Sequence, residues 1–301
     1  MNKISITNDI ASTYLGKQTK GSITYDPSLL VAIPRFENRE KYQIFDNELP
    51  FDGWDVWHCY EFSVLTENNL PITRVLKLKY SAESKYIVES KSLKLYLNSF
   101  NMTNIGENSE QCLLKCKELI QKDLNKKLQT EVYVSFLDEK SFKNTIFSDY
   151  TNILNSCNEQ EIRIENFNES PQLLKINNIK ETKENRLYFD SLRSNCRVTH
   201  QPDFGDIFIY YKSQKHIEES SLVKYLVSFR NEYHFHEECC EMIFKRLSDI
   251  LNPEDELMVC ALYTRRGGID ISPVRYKGKL KDKDIENILD IDALARFGIK
   301  Q

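Results

Sequence analysis

Residues 89–100, Glu-Ser-Lys-Ser-Leu-Lys-Leu-Tyr-Leu-Asn-Ser-Phe, and residues 218–229, Glu-Glu-Ser-Ser-Leu-Val-Lys-Tyr-Leu-Val-Ser-Phe, align without a gap and are identical at seven of twelve positions. Two copies of one unit must bury like faces in like surroundings, so this repeat constrains the fold more than any other feature. The flanks agree with it. Before the first copy, Trp54–Glu67 is an aromatic, β-rich run, Asn68-Asn69-Leu70-Pro71 reads as a turn, and Leu76, Leu78 and Tyr80 alternate with Lys77 and Lys79 as a second strand. After it, Ser109 is placed to cap a helix carrying Leu113, Cys116, Ile120, Leu124 and Leu128 at helical spacing, and Val132, Val134 and Phe136 mark a strand. Around the second copy, strands are expected at 195–199 and 207–211 about a turn at Gln201-Pro202-Asp203-Phe204-Gly205. Helices follow at about 218–231 and 234–251, then strands at 257–264 and 269–274 joined by Gly267-Gly268. The expected fold class is α+β: tandem ββααββ units whose antiparallel sheets carry helices on one face and leave the other for a partner layer. Residues 1–50 read as a largely loop-like N-terminal arm, 51–140 as the first module, 141–184 as a polar surface insertion and linker, and 185–301 as the second module.

Composition excludes several classes. The 301 residues are 41% hydrophobic and 29% charged, as in ordinary globular chains, and 41 Lys+Arg against 45 Asp+Glu provide no basic field for nucleic acid. No apolar run approaches the roughly 18–20 residues that span a bilayer, and the N-terminus lacks the apolar core of a signal peptide. Eight cysteines are too sparse for a disulfide scaffold, so reduced thiols in the cytoplasm are expected.

Chemistry concentrates in a few segments. In Ser194-Asn-Cys-Arg-Val-Thr-His-Gln-Pro-Asp-Phe-Gly205, a strand starting near Cys196 and a turn holding Asp203 can set a thiol and a carboxyl at two sides of one pocket. A thiolate attacks an electrophilic carbon, and a neighbouring carboxylic acid protonates the atom that gains charge. An inert buried thiol and an ordinary turn aspartate fit the same spacing. At a helix beginning, Glu237 can pair with an amidine-like N–H edge, Phe235 can stack on a ring and His236 can hydrogen-bond the reacting group. A first-turn carboxylate favoured by the helix dipole and a core phenylalanine explain the pattern as well. His234, His236, Cys239 and Cys240 are crowded but match no zinc-binding spacing, so no metal is expected. Neither a Gly-x-Gly-x-x-Gly nor a Walker loop occurs. Any dinucleotide must therefore be held by cations such as Lys91, Lys94, Arg265 and Arg266, unless these are simply solvated.

Together these segments resemble the nitrile reductases of queuosine biosynthesis, the 7-cyano-7-deazaguanine reductases, in their long two-module form. The resemblance rests on Glu89–Phe100, Ser194-Asn-Cys-x-Val-Thr-His-Gln-Pro-Asp-x-Gly, Leu226-Val-Ser-Phe-Arg, Phe235-His-Glu, Tyr263-Thr-Arg-Arg-Gly-Gly-x-Asp and the early Tyr25-Asp-Pro-Ser-Leu-Leu, and runs from about residue 14 to about 275. It implies a tunnelling fold in a homodimer, and reduction of the nitrile of 7-cyano-7-deazaguanine (preQ0) to the aminomethyl group of preQ1 with two NADPH, without metal, nucleic acid or membrane. It makes Cys196 the nucleophile forming a thioimide and Asp203 the proton donor. It also implies that Glu89 and Glu237 hold the deazaguanine edge, that Val88, Ser90, Phe235 and His236 line the pocket, and that Ser90, Lys91, Arg266 and Gly267 contact NADPH. A purine-ring hydrolase of the related cyclohydrolase branch, and a purine- or pterin-binding module without catalysis, are the competing readings. Stoichiometric zinc without NADPH oxidation would favour the former, while intact Cys196 and Asp203 speak against the latter.

Overall fold

The computed structural model describes residues 24–278, 282–298 and 300; residues 1–23 of the expected arm lie outside the described residues. Its first half forms β1 (Ala32–Pro34), α1 (Phe36–Lys41), β2 (Asp52–Leu65), β3 (Pro71–Ser81), β4 (Tyr86–Val88), α2 (Ser90–Asn98), α3 (Ser109–Leu128) and β5 (Val132–Leu137). Short strands β6 (Phe142–Thr145) and β7 (Thr151–Asn152) lead to the second half. That half forms β8 (Ile176–Cys196), β9 (Pro202–Ile217), α4 (Glu219–Val227), β10 (Tyr233–His234), α5 (His236–Ile250), β11 (Glu256–Tyr263) and β12 (Ile269–Lys277). Helix α6 (Lys283–Leu289) and β13 (Leu294–Arg296) follow.

The identities in the repeat are the positions that packing and capping require. Leu93, Tyr96, Leu97 and Phe100 of the first copy are buried, as are Leu222, Tyr225, Leu226 and Phe229 of the second. Ser92 and Ser221 each donate from Oγ to the N-cap carbonyl, Glu89 O or Glu218 O, at 2.7 Å. Ser99 and Ser228 close their helices by donating to Tyr96 O and Tyr225 O at 2.6 Å. The copies diverge at the cap. Both carboxylate oxygens of Glu89 accept from Lys91 N and Ser92 N, whereas Glu218 makes no such bond.

Both halves join one nine-stranded, mainly antiparallel sheet in the order β10-β8-β9-β11-β12-β2-β3-β5, with β7 also on β8. The halves meet where β12 pairs with β2, Ile271 opposite Trp57. Alternation along the strands sorts two faces. Ile207, Ile209 and Tyr211 of β9 pack under α4 and α5, Trp57, Leu76 and Leu78 pack under α2 and α3, and Phe208 and Tyr210 face the opposite side. The fold is α+β: α2 to α5 lie on one face of the mainly antiparallel sheet, and the short α6 packs on the other, Ile285 and Ile288 joining Phe208 and Tyr210, so the expectation of helices on one face alone is corrected. The copies differ at the fourth strand: an Asp138-to-Ser141 capping box turns the chain away after β5, and β6 pairs with β13 instead of joining the sheet.

Several local expectations need correction. Helix α3 is capped by Asn108, not Ser109, through Gln111 N at 3.0 Å. The arm holds a strand, β1, paired with β4, besides a short helix. Strand β8 begins at Ile176, inside the stretch read as an insertion, and that stretch is not confined to the surface. Ile146, Phe147, Tyr150 and Ile153 are buried, and Phe147 stacks on Phe208 at 4.2 Å. Four apolar residues spread through polar sequence carry no periodic signal, yet each finds a place on the sheet. Among the described residues, no helix is long and apolar enough to cross a membrane.

Candidate active site

Cys196 is the last residue of β8, not near a strand start, and the tight turn falls at 197–199, ahead of the Pro-Asp-Phe-Gly segment expected to form it. His200 takes the positive φ, 58°, that lets its N–H reach Cys196 O at 2.9 Å. Asp203 lies inside β9 opposite Ser194. Pro202 is tolerated because it opens the strand. Gly205 is needed for close approach rather than for a turn, since a Cβ there would sit 3.1 Å from Leu262 O. Strand β10 runs parallel to the end of β8 with His234 beside Cys196, and so delivers Phe235, His236 and Glu237 to the same place.

These elements meet the start of α2 over the β12–β2 junction and enclose a cavity of about 290 Å³, near the lower end for small-ligand sites. Val88, Glu89, Ser90, Lys91, Cys196, Asp203, Phe235, His236, Glu237, Arg266 and Gly267, all named from sequence, line it. Trp57, Gln201, His234, Ile269 and Ile271 line it as well, and sequence reasoning did not single them out as pocket residues. Trp57 and Ile271 reach the cavity through cross-strand pairing, which a linear pattern does not display.

Burial pushes seven of the eight thiols up, Cys116 and Cys239 to about 12. Cys196 goes the other way. Burial opposes its ionisation, but the adjoining Thr199, whose N–H donates to Sγ at 3.5 Å, the Lys91 charge and the Val198 N–H outweigh it and lower its pKa. His236 stacks on Tyr263 with centroids 3.8 Å apart and planes within 7°, and its Nε2 lies 3.4 Å from Asp203 Oδ2. Burial and Lys91 push His236 down to about 3, so its imidazole is neutral. Asp203, 3% exposed, is also ion-paired with Arg266.

Glu237 is buried with Oε1 unpartnered, and burial together with the nearby Asp55 charge raises its pKa to about 8. Asp55 belongs to a buried charge network close to Glu237. Arg275 Nη2 contacts Asp55 Oδ1 at 2.8 Å and Glu241 Oε1 at 2.9 Å, Arg39 Nη2 contacts Glu241 Oε1 at 2.8 Å, and Arg35 pairs with Asp55.

On another side of the cavity stand Lys91, Lys94 and Arg266. Lys94 Nζ donates to Gly267 O at 2.5 Å and pairs with Glu61 at 3.0 Å. Gly267 and Gly268 take positive φ values of 57° and 77°, which turn the backbone in close to Lys94. This donor set suits phosphate oxygens. Among the described residues, no group of three or more His, Cys, Asp or Glu side chains is arranged to hold a metal.

Residues 22–136 match the family model described as nitrile reductase, 7-cyano-7-deazaguanine-reductase N-term, and residues 202–282 match the one described as QueF-like protein.

Proposed function

The chain belongs to the 7-cyano-7-deazaguanine nitrile reductase family, and on that premise we propose that it reduces the nitrile of preQ0 to the aminomethyl group of preQ1 through a thioimide on Cys196, with NADPH as reductant. One observation carries the reading: the only cysteine of eight whose thiol is lowered lines the cavity that Asp203, His236 and Glu237 also line. The Cys196 thiolate adds to the nitrile carbon. A C–S bond forms, one C–N π pair moves to nitrogen, and Asp203 relays the thiol's own proton to that nitrogen. Glu237 accepts N–H bonds from the deazaguanine edge, and that pairing satisfies its orphan oxygen. Glu89 has both oxygens engaged by the start of α2, so it holds the ring edge through its remaining lone pairs. Phe235, Val88 and Ser90 enclose the ring, and neutral His236 orients Asp203. Ser90, Lys91, Arg266 and Gly267 would hold NADPH, which when bound supplies hydride, two per nitrile. The same reading makes the protein a cytoplasmic homodimer that acts on a free small molecule.

Intact mass spectrometry after adding preQ0 without NADPH is expected to show one covalent adduct, mapping to the peptide that contains Cys196. An unmodified protein, or an adduct on another cysteine, would remove the thioimide. A second expectation concerns pH. Below pH 8 the Glu237 carboxyl is largely protonated and cannot accept two N–H bonds, so binding must release its proton. The affinity of Cys196→Ala for preQ0 should therefore rise with pH, approaching tenfold per unit below pH 8 and levelling above it. A flat profile in Cys196→Ala that Glu237→Gln leaves unchanged would take Glu237 out of ring recognition.

A further inference from the structure

Arg266 reaches across the cavity from the β11–β12 turn and is shared by two partners. Its Nη2 donates to Gln201 Oε1 at 2.8 Å, and its Nη1 pairs with Asp203 Oδ1. One end of this pair is nearly closed off, with Asp203 at 3% side-chain exposure, and the other is open, with Arg266 at 33%. The remaining charged and titratable groups around Asp203 come from three elements. His236 of α5, neutral, lies at 3.4 Å; Cys196 ends β8, the strand paired with β9 there; and Lys91 of α2 exerts its field on both His236 and Cys196. Glu237, also on α5, shares the cavity. Since His236 is neutral, Arg266 is the one cationic side chain among the described residues that pairs with Asp203.

We propose that Arg266 is a charge gate for which Asp203 and a cofactor phosphate compete: paired with Asp203 it keeps the carboxyl ionised, and drawn to phosphate it leaves Asp203 to take up a proton. The proposal rests on the function given above, in which Asp203 is the acid and Arg266 a cofactor contact. The stoichiometry of the reaction fits it. Taking a nitrile to an amine adds four hydrogens, two as hydride and two as protons. The thiol's own proton moves to nitrogen when the thioimide forms and returns when the C–S bond breaks, so both net protons come from solvent. A gate that admits one proton with each dinucleotide delivers the two that the two hydrides require. The proton also replaces the guanidinium as the group that neutralises Asp203, so no buried charge is left unpaired.

The test uses NADP+, which carries the phosphates but no hydride. Calorimetric titration of the wild-type protein at pH 7, in two buffers of different ionisation enthalpy, is expected to show uptake approaching one proton per NADP+, absent in Asp203→Asn. Because binding is reciprocal, removing the competing carboxylate should also tighten NADP+ binding, by about tenfold in Asp203→Asn. That gain should vanish in the Arg266→Ala background. Binding without proton uptake, uptake that persists in Asp203→Asn, or equal affinities in wild type and Asp203→Asn would each overturn the gate while leaving the proposed reaction in place. Failure of the wild-type protein to bind NADP+ would overturn both. The wild-type calorimetry stands even if a variant folds poorly.

Discussion

Cys196→Ala is expected to lower turnover of preQ0 by about 10⁴-fold or more, with its affinity for the nitrile within about tenfold of wild type. The side chain is small and contributes little to holding the ring, so its loss should fall on kcat rather than on binding. No neighbouring thiol can replace it. Cys239 and Cys240 are fully buried, and burial pushes Cys239 up to about 12 and Cys240 further, which leaves neither with useful thiolate. Cys196→Ser should be nearly as inactive, because the hydrogen bond from Thr199 and the field of Lys91 that lower a thiol near 9 cannot bring a hydroxyl within range. Single-turnover measurements with NADPH in excess would decide the point, and activity of either variant within tenfold of wild type would end the covalent mechanism.

Arg275→Met is expected to cost about 3–5 kcal/mol of folding stability, since it leaves two buried carboxylates short of a counter-charge. Arg275 is fully buried and bridges Asp55 of β2 to Glu241 of α5, so one guanidinium ties the first half's sheet to the second half's helix. Arg35 and Arg39 still face those carboxylates, which places the effect toward the lower end of the range. Glu241 is held well below the usual carboxylate range: burial opposes this, but Arg39, Arg275 and Arg35 outweigh it. Its contribution is therefore fully present above the unfolded-state pKa near 4.5 and is lost progressively as pH falls from there towards the depressed folded value. The variant should consequently lose most stability near neutral pH and least in acid. Urea unfolding at pH 7 and pH 3 would measure both, and a loss below about 1 kcal/mol at pH 7 would mean the network is dispensable.

Much of the site could be read from the chain because its parts come in contiguous clusters. Glu89, Ser90 and Lys91 stand together at one helix start and Phe235, His236 and Glu237 at another, and a helix start projects its first residues into one neighbourhood whatever the wider fold. The Cys196–Asp203 segment was located as a unit but its geometry was misread. Pro202 and Gly205 looked like turn residues, while the one serves to open a strand and the other makes room for β11. The His200 backbone, which closes the actual turn, left no sign because histidine at positive φ is uncommon.

The sequence by itself determined which faces are apolar, that the unit occurs twice, and which side chains carry reactive chemistry. Those properties depend on residue type and short-range period, and they survive without knowledge of the partner surface. Tertiary structure alone decided that the copies share one sheet through β12 and β2, that Trp57 and Ile271 line the resulting cavity, and that Arg266 lies on Asp203. It also decided how the thiols divide. Eight cysteines of one intrinsic acidity are separated by burial and by fields from residues distant in the chain, and such fields come into being only when folding brings the charges within a few ångströms of each other.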